Sequence, residues 1–158
     1  MTRKLFADTA FLIGLMSDND SYNLESKNIF EYLRSSHLIS DITDLYISDH
    51  IIIEVIHQLI RKRIPMRQIK EKYENLNQFH VFHIEAGHID EAINTKLTPF
   101  CHNQSRERPM GIVDALSLVA MDYENIPYII SFDGHFDKVP LIVRIKDIDS
   151  INHSILRR

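Results

Sequence analysis

Tyr128-Ile-Ile-Ser-Phe-Asp133-Gly-His-Phe-Asp137 carries the pattern that decides the fold. A short apolar run reads as a buried strand, and an acidic turn follows it at once. Three earlier stretches share this grammar: Leu5-Phe-Ala-Asp8-Thr9, Ile51-Ile-Ile-Glu54-Val-Ile56 and Ile112-Val-Asp114-Ala-Leu116. Each sets one carboxylate beside apolar residues of core type. Together Asp8, Glu54, Asp114 and Asp133 predict one acidic pocket holding a divalent metal.

Lys4 to Asp8 reads as a buried strand ending on a carboxylate. Thr9 to Met16 has a helical pattern, with Phe11, Leu12 and Leu15 on one face. Ser17-Asp-Asn-Asp-Ser21 is turn chemistry, and the stretch from Ser21 to about Arg34 is helical again. Ser35 to Asp44 reads as a loop with Leu38, Ile39 and Ile42 tucked beneath it. Leu45 to Ser48 is a second strand, and Ser48 or Asp49 caps a helix running to about Lys62. That helix is expected to turn Ile52, Ile53, Ile56, Leu59 and Ile60 toward the core. Pro65 opens a further helix carrying Ile69, Tyr73 and Leu76. Phe79 to Ile84 alternates as a third strand, Glu85 to about Leu97 is a helix weakened by Gly87, and Thr98 to Met110 is a loop. Gly111 to Glu124 is the most apolar helix. It precedes a fourth strand, Tyr128 to Phe132, and a fifth, Leu141 to Ile145. Asp147 to Arg158 has no firm pattern and reads as a docking tail.

Strands alternating with helices predict an α/β sandwich with a mostly parallel sheet of about five strands. Such sheets bind ligands at the carboxyl ends of their strands. Asp8 and Asp133 follow strands directly. Glu54 lies early in the helix after the second strand, and Asp114 lies in the first turn of the helix that feeds the fourth. All four are therefore expected to converge on one rim.

A chain of 158 residues suits one domain, here residues 1–158 with a core over about 4–145. With 44% hydrophobic and 25% charged residues, the composition is that of an ordinary globular protein. No apolar run reaches the roughly 18 residues of a membrane span. The first strand begins too early to leave room for a signal peptide, and the single cysteine, Cys101, excludes an intrachain disulfide. A cytoplasmic location is the resulting expectation. The net charge of -4 argues against a bulk nucleic-acid coat protein but not against a nuclease, because clustered acids are cancelled locally by a metal. The run from Arg61 to Lys72 holds six basic residues and one acid. It reads either as a solvated helical face or as a phosphate-tracking surface.

Each acid alone has an ordinary explanation. Asp8 can cap a helix, Asp133 can close an Asx turn, and Asp114 suits a helix N-terminus. Glu54 and Asp114 resist, because both are embedded among Ile, Val, Leu and Ala. Burying an unpaired carboxylate costs several kcal/mol, and neither segment offers lysine or arginine. A hard cation such as Mg²⁺ or Mn²⁺ compensates and keeps positions for a substrate phosphate.

These residues, in this order, resemble the PIN domain family, most of all its VapC-like toxin ribonucleases. The resemblance runs from residue 4 to about 145 and rests on order and spacing rather than on one motif. It implies a three-layer α/β/α sandwich with a central parallel sheet, and Mg²⁺- or Mn²⁺-dependent cleavage of single-stranded RNA. It assigns Asp8, Glu54, Asp114 and Asp133 to the catalytic and metal-binding quartet and Asp137 to a secondary metal ligand. Thr9 matches a hydroxyl that holds water beside the metal, and Ser131 matches the hydroxyl before the last Asp. Ala10 departs from the pattern, since many relatives carry Ser or Asn there. A homodimer and an inhibitory antitoxin are implied as partners. Water as the nucleophile implies products with 5′-phosphate and 3′-hydroxyl ends.

Other sites are weaker. His80 and His83 fall on opposite faces of a strand, and His50 and His57 lack a third ligand, so no standard zinc spacing appears. Cys101-His102 lacks an orienting third group for nucleophilic catalysis. His135 reads first as a surface loop residue and second as a substrate contact, while Arg106 and Arg108 are candidates for binding RNA phosphate or, equally, solvated loop residues. A haloacid dehalogenase phosphatase would need an acid two residues after the first Asp, where Ala10 stands. A receiver domain would need paired early acids and a lysine after the fifth strand. The remaining alternatives are an RNA-processing PIN nuclease outside toxin–antitoxin systems and a silent PIN-like module that binds RNA or protein. Carboxylate-dependent Mn²⁺ binding separates that silent module from an enzyme.

Overall fold

The computed structural model describes residues 3–97 and 110–156. Cys101, Arg106, Arg108 and the rest of the loop expected between Thr98 and Pro109 lie outside the described residues. The sheet has five strands: β1 (Phe6–Ala7), β2 (Tyr46–Ser48), β3 (His80–Phe82), β4 (Tyr128–Ile130) and β5 (Val143–Ile145). Their spatial order is β3-β2-β1-β4-β5, and every pair is parallel. Helices flank the sheet as a three-layer α/β/α sandwich. Parallel strands covered on both faces become continuously apolar, and the central β1 and β4 are buried at every position.

The order matters more than the layers. The chain leaves β1 in one direction toward β2 and β3, then returns to place β4 on the other side of β1. The β1–β4 boundary is thus the switch point, where loops diverge and leave a crevice at the carboxyl ends. Asp8 ends β1 and Asp133 lies just past β4.

Helix α1 (Thr9–Met16) packs on α2 (Asn23–Ser35) and on α3 (Asp49–Arg61). The α1–α2 approach depends on Gly14, where an added Cβ would lie 2.2 Å from Ser26 Oγ. Helix α4 (Met66–Leu76) follows Pro65 as expected, and α5 (Ala86–Glu91) runs on as a π-turn over Ala92–Leu97. Helix α6 (Ile112–Glu124) ends at Asn125 in the left-handed region, which stops further turns.

Two expectations need correction, and a third gains detail. On α3 the buried stripe is Ile51, Ile52, Val55 and Leu59, whereas Ile53 and Ile60 are exposed. Residues step by about 100° around a helix, so an unbroken apolar run cannot face one way throughout. The fifth strand begins at Val143, because Leu141 has a positive φ of 67° that no strand accommodates. Finally, the C-terminal segment does dock on the core, and it does so as a helix. Helix α7 (Ile148–Ile151) continues as a π-turn over Asn152–Leu156, with Ile151 and Ile155 in the core. Asp147 starts it by accepting the Ser150 N–H at 2.7 Å.

Candidate active site

Asp8 is locked at the switch point by its own backbone, since its N–H donates to Ile130 O at 3.0 Å. Its side chain then caps α1, with Oδ1 accepting the Thr9 N–H at 2.8 Å. Oδ2 accepts the Ser131 hydroxyl at 2.6 Å, and that same hydroxyl accepts the Asp133 N–H at 3.0 Å. Ser131 therefore ties the ends of β1 and β4 together. Thr9 faces the other way and donates its hydroxyl to Glu54 Oε2 at 2.6 Å, which links α1 to α3. At the start of α6, Asp114 Oδ2 accepts the Gly111 N–H at 3.2 Å. Asp133 Oδ1 accepts the His135 N–H at 2.9 Å and lies 2.8 Å from His135 Nδ1.

Asp8, Thr9, Glu54, Asp114, Asp133 and His135 all line one cavity of about 570 Å³. Asp8 is the most deeply buried of the four acids, at 6% exposure, while Glu54 and Asp114 are only partly buried. This reverses the sequence-based emphasis on Glu54 and Asp114. On a helix the residues beside an acid in sequence point elsewhere, so apolar sequence neighbours do not bury it. A residue closing a central strand has no such freedom.

Burial pushes the Asp8 carboxyl up to about 7, and the charges of Asp114 and Glu54 add to that rise. Hydrogen bonds from Ser131 and the Thr9 N–H oppose it. Asp114 is raised for the same reasons, first burial and then Asp133 and Glu54, against the Gly111 N–H and His135. Two neighbours in one crevice that both resist ionisation mark concentrated negative potential.

One ligand-type atom each from Asp114, Asp133 and His135 lies within 4.8 Å of the other two. Carboxylate oxygens suit Mg²⁺ and Mn²⁺, and a ring nitrogen is compatible with a first-row metal such as Mn²⁺. The donor set therefore fits the expected cation, with Asp8 and Glu54 lining the same cavity. Asp137 is not brought to it. It pairs with Arg144, Nε to Oδ1 at 2.8 Å and Nη2 to Oδ2 at 2.5 Å, and is no part of the cavity lining.

The sequence reading missed Asp20, Tyr22 and Gln58, which line the cavity, and met Lys62 only as part of the basic run from Arg61 to Lys72. Lys62 Nζ meets Asp20 Oδ2 at 2.8 Å. Gln58 and Lys62 were findable, because they follow Glu54 by four and eight residues and so share its helix face. Asp20 and Tyr22 come from a turn whose direction no periodicity encodes.

A family model described as the PIN domain matches residues 5–141. No curated protein matches the chain in sequence. Among solved structures, the chain is similar to VapC20 of Mycobacterium tuberculosis, described as a sarcin–ricin loop cleaving toxin. That match has a TM-score of 0.67 and 22% identity, covering 85% of this chain and 93% of that one. A toxin–antitoxin complex from Klebsiella pneumoniae contains a chain matched with a TM-score of 0.61 and 18% identity, over 89% of this chain and 95% of that one. At such identities the likeness is one of fold, whereas the family model reaches across most of the sequence. This chain belongs to the PIN domain family.

Proposed function

We propose that this chain is a Mg²⁺- or Mn²⁺-dependent endoribonuclease that hydrolyses phosphodiester bonds of single-stranded RNA. One observation carries the reading: four carboxylates from four separated segments meet in one cavity, and hydroxyls and peptide N–H groups supply their described hydrogen bonds. Such donors orient a carboxylate without cancelling its charge. Asp114 and Asp133 would hold the cation, with Asp8, Glu54 and His135 beside them. A divalent ion so held acidifies water and offsets the charge that develops on a phosphate. The chain's own contribution is preorganisation: Ser131 fixes Asp8 and Thr9 fixes Glu54 before substrate arrives.

The role of toxin, with an antitoxin as partner and the cytoplasm as location, belongs to the same proposal. Membership of the PIN family and the fold shared with toxin chains support it. Exposed Ile53 and Ile60, two turns apart on α3, offer an apolar strip suited to a protein partner, a second copy of the chain included. Among the described residues, no helix is long and apolar enough to cross a membrane.

Digestion of single-stranded RNA with Mg²⁺, with Mn²⁺ and with EDTA, followed by end mapping, tests the reading. Cleavage is expected only with metal, leaving 5′-phosphate and 3′-hydroxyl ends. Ends carrying 2′,3′-cyclic phosphate, or cleavage that survives EDTA, would overturn it.

A further inference from the structure

We infer that the solvent-facing side of the Tyr22 ring is a nucleobase-stacking subsite of the acidic cavity. It would seat the base of a nucleotide adjoining the phosphodiester that meets the carboxylates. The inference rests on the ribonuclease reading above and adds a contact that chooses how the strand lies.

Tyr22 lines the cavity and is 42% exposed, a large exposure for an aromatic side chain. Its ring is nevertheless held in place. One face lies flat on Phe132, with ring centroids 4.2 Å apart and planes 8° apart. With that face covered, only the opposite face is left for a further stack. The backbone is fixed as well: the Tyr22 N–H donates to Asp20 Oδ1 at 3.0 Å, and the Tyr22 carbonyl accepts the Ser26 N–H at 2.8 Å. A flat ring backed by a second aromatic offers its remaining face to a base, and stacking accepts any base because each has a π-face.

Position gives the platform its meaning. Phe132, on which Tyr22 rests, stands between Ser131, which holds Asp8, and Asp133 itself. The same turn that fixes Tyr22 also fixes a cation, since Asp20 accepts the Tyr22 N–H through one oxygen and meets Lys62 with the other. Among the described lining residues, Lys62 is the one lysine or arginine. A stacking face and a lysine thus line the same cavity as the acids, and single-strand binding surfaces combine aromatic faces with cations.

The test measures binding of a short fluorescein-labelled single-stranded RNA by anisotropy, in Mn²⁺, in an Asp8→Asn background meant to stop cleavage while keeping the Asp114, Asp133 and His135 cluster. Tyr22→Leu should weaken binding roughly tenfold, while Tyr22→Phe, which keeps the ring and its stack, should stay within about twofold. RNAs carrying one abasic residue at successive positions give a second readout with Tyr22 intact. Affinity should drop at one position, and Tyr22→Leu should abolish that drop. Equal affinity for Tyr22→Leu and its parent, a flat abasic scan, or no saturable binding at all would each overturn the subsite. Failure of the two readings is distinguishable. Metal-dependent cleavage by the unsubstituted chain without a Tyr22 effect removes the subsite alone. Tyr22-dependent binding without any cleavage removes the nuclease alone.

Discussion

Asp133 and Asp137 stand four residues apart, at the two ends of one short turn, and meet opposite surroundings. Asp137 faces a guanidinium: Arg144, whose side chain is 8% exposed, grips both its oxygens and holds its carboxyl below the usual range. Asp133 faces a backbone N–H, an imidazole and, across the cavity, Asp114. An acid that finds arginine is finished as a piece of structure. Acids whose partners are hydroxyls and amides meet no such cation, and Asp8 and Asp114 are pushed up first by burial and then by the neighbouring carboxylates. On the proposed function, the contrast sets Asp137 apart from the metal-site acids by its partner, where sequence shows only Asp in both cases.

The largest expected effect is on cleavage. Asp8→Asn or Asp114→Asn should lower the RNA cleavage rate by roughly a thousandfold or more, as loss of a preorganised charged group does. Asp137→Asn should leave the rate within a few-fold of the parent. Single-turnover assays of the three variants check this, and an active Asp8→Asn or a dead, folded Asp137→Asn would break the contrast.

Next in size is the pH dependence of the metal-free chain. The Asp8 pKa of about 7 lies above its ordinary value of 3.8, so the folded state takes up this proton more readily than the unfolded state. The stabilisation is full below the ordinary value and is lost as pH rises through about 7. Asp114 shifts the same way, whereas Asp18, Asp20 and Asp137 are lowered and stay ionised over the same window. In EDTA, stability should therefore fall by something on the order of 3 kcal/mol between about pH 5 and pH 8 on account of Asp8. Urea titrations should show a flatter profile for Asp8→Asn. An unchanged slope would mean that Asp8 ionises freely.

Two smaller effects concern the scaffold behind each acid. Gly14→Ala would set a Cβ 2.2 Å from Ser26 Oγ and 2.9 Å from the Tyr22 carbonyl oxygen. Overpacking of this kind costs about 1–3 kcal/mol, visible as a lower denaturation midpoint, and should also disturb the Tyr22 rim. Asp137→Asn should cost about 1 kcal/mol. It strips Arg144 of its charged partner, but Asp137 itself is more than half exposed and screened by solvent.

How much of this was legible differs by level. Strand–helix alternation was enough for the layers and the parallel sheet, and the placement of Asp8 and Asp133 after strands pointed to one rim. The acids were visible because a strand end or a first helical turn fixes where a side chain emerges. Direction around a helix was less secure. Ile53 and Ile60 were assigned to the core because the α3 run is apolar all round, and only packing decides which face is inside. Asp137 shows the limit of local reading, since its fate rests on Arg144, which arrives from β5. His135 read first as a solvated loop residue, and the fold turns it toward Asp133 and Asp114. Tyr22 and Lys62 gain their meaning from Asp20, a turn residue whose hydrogen bonds could not be read before the turn had a shape.

The most direct test is calorimetric titration of Mn²⁺ into the unsubstituted chain, Asp114→Asn and Asp137→Asn at neutral pH. Saturable binding is expected in the unsubstituted chain and in Asp137→Asn and should vanish in Asp114→Asn. Isotherms that coincide for Asp114→Asn and the unsubstituted chain, or a loss confined to Asp137→Asn, would contradict the account.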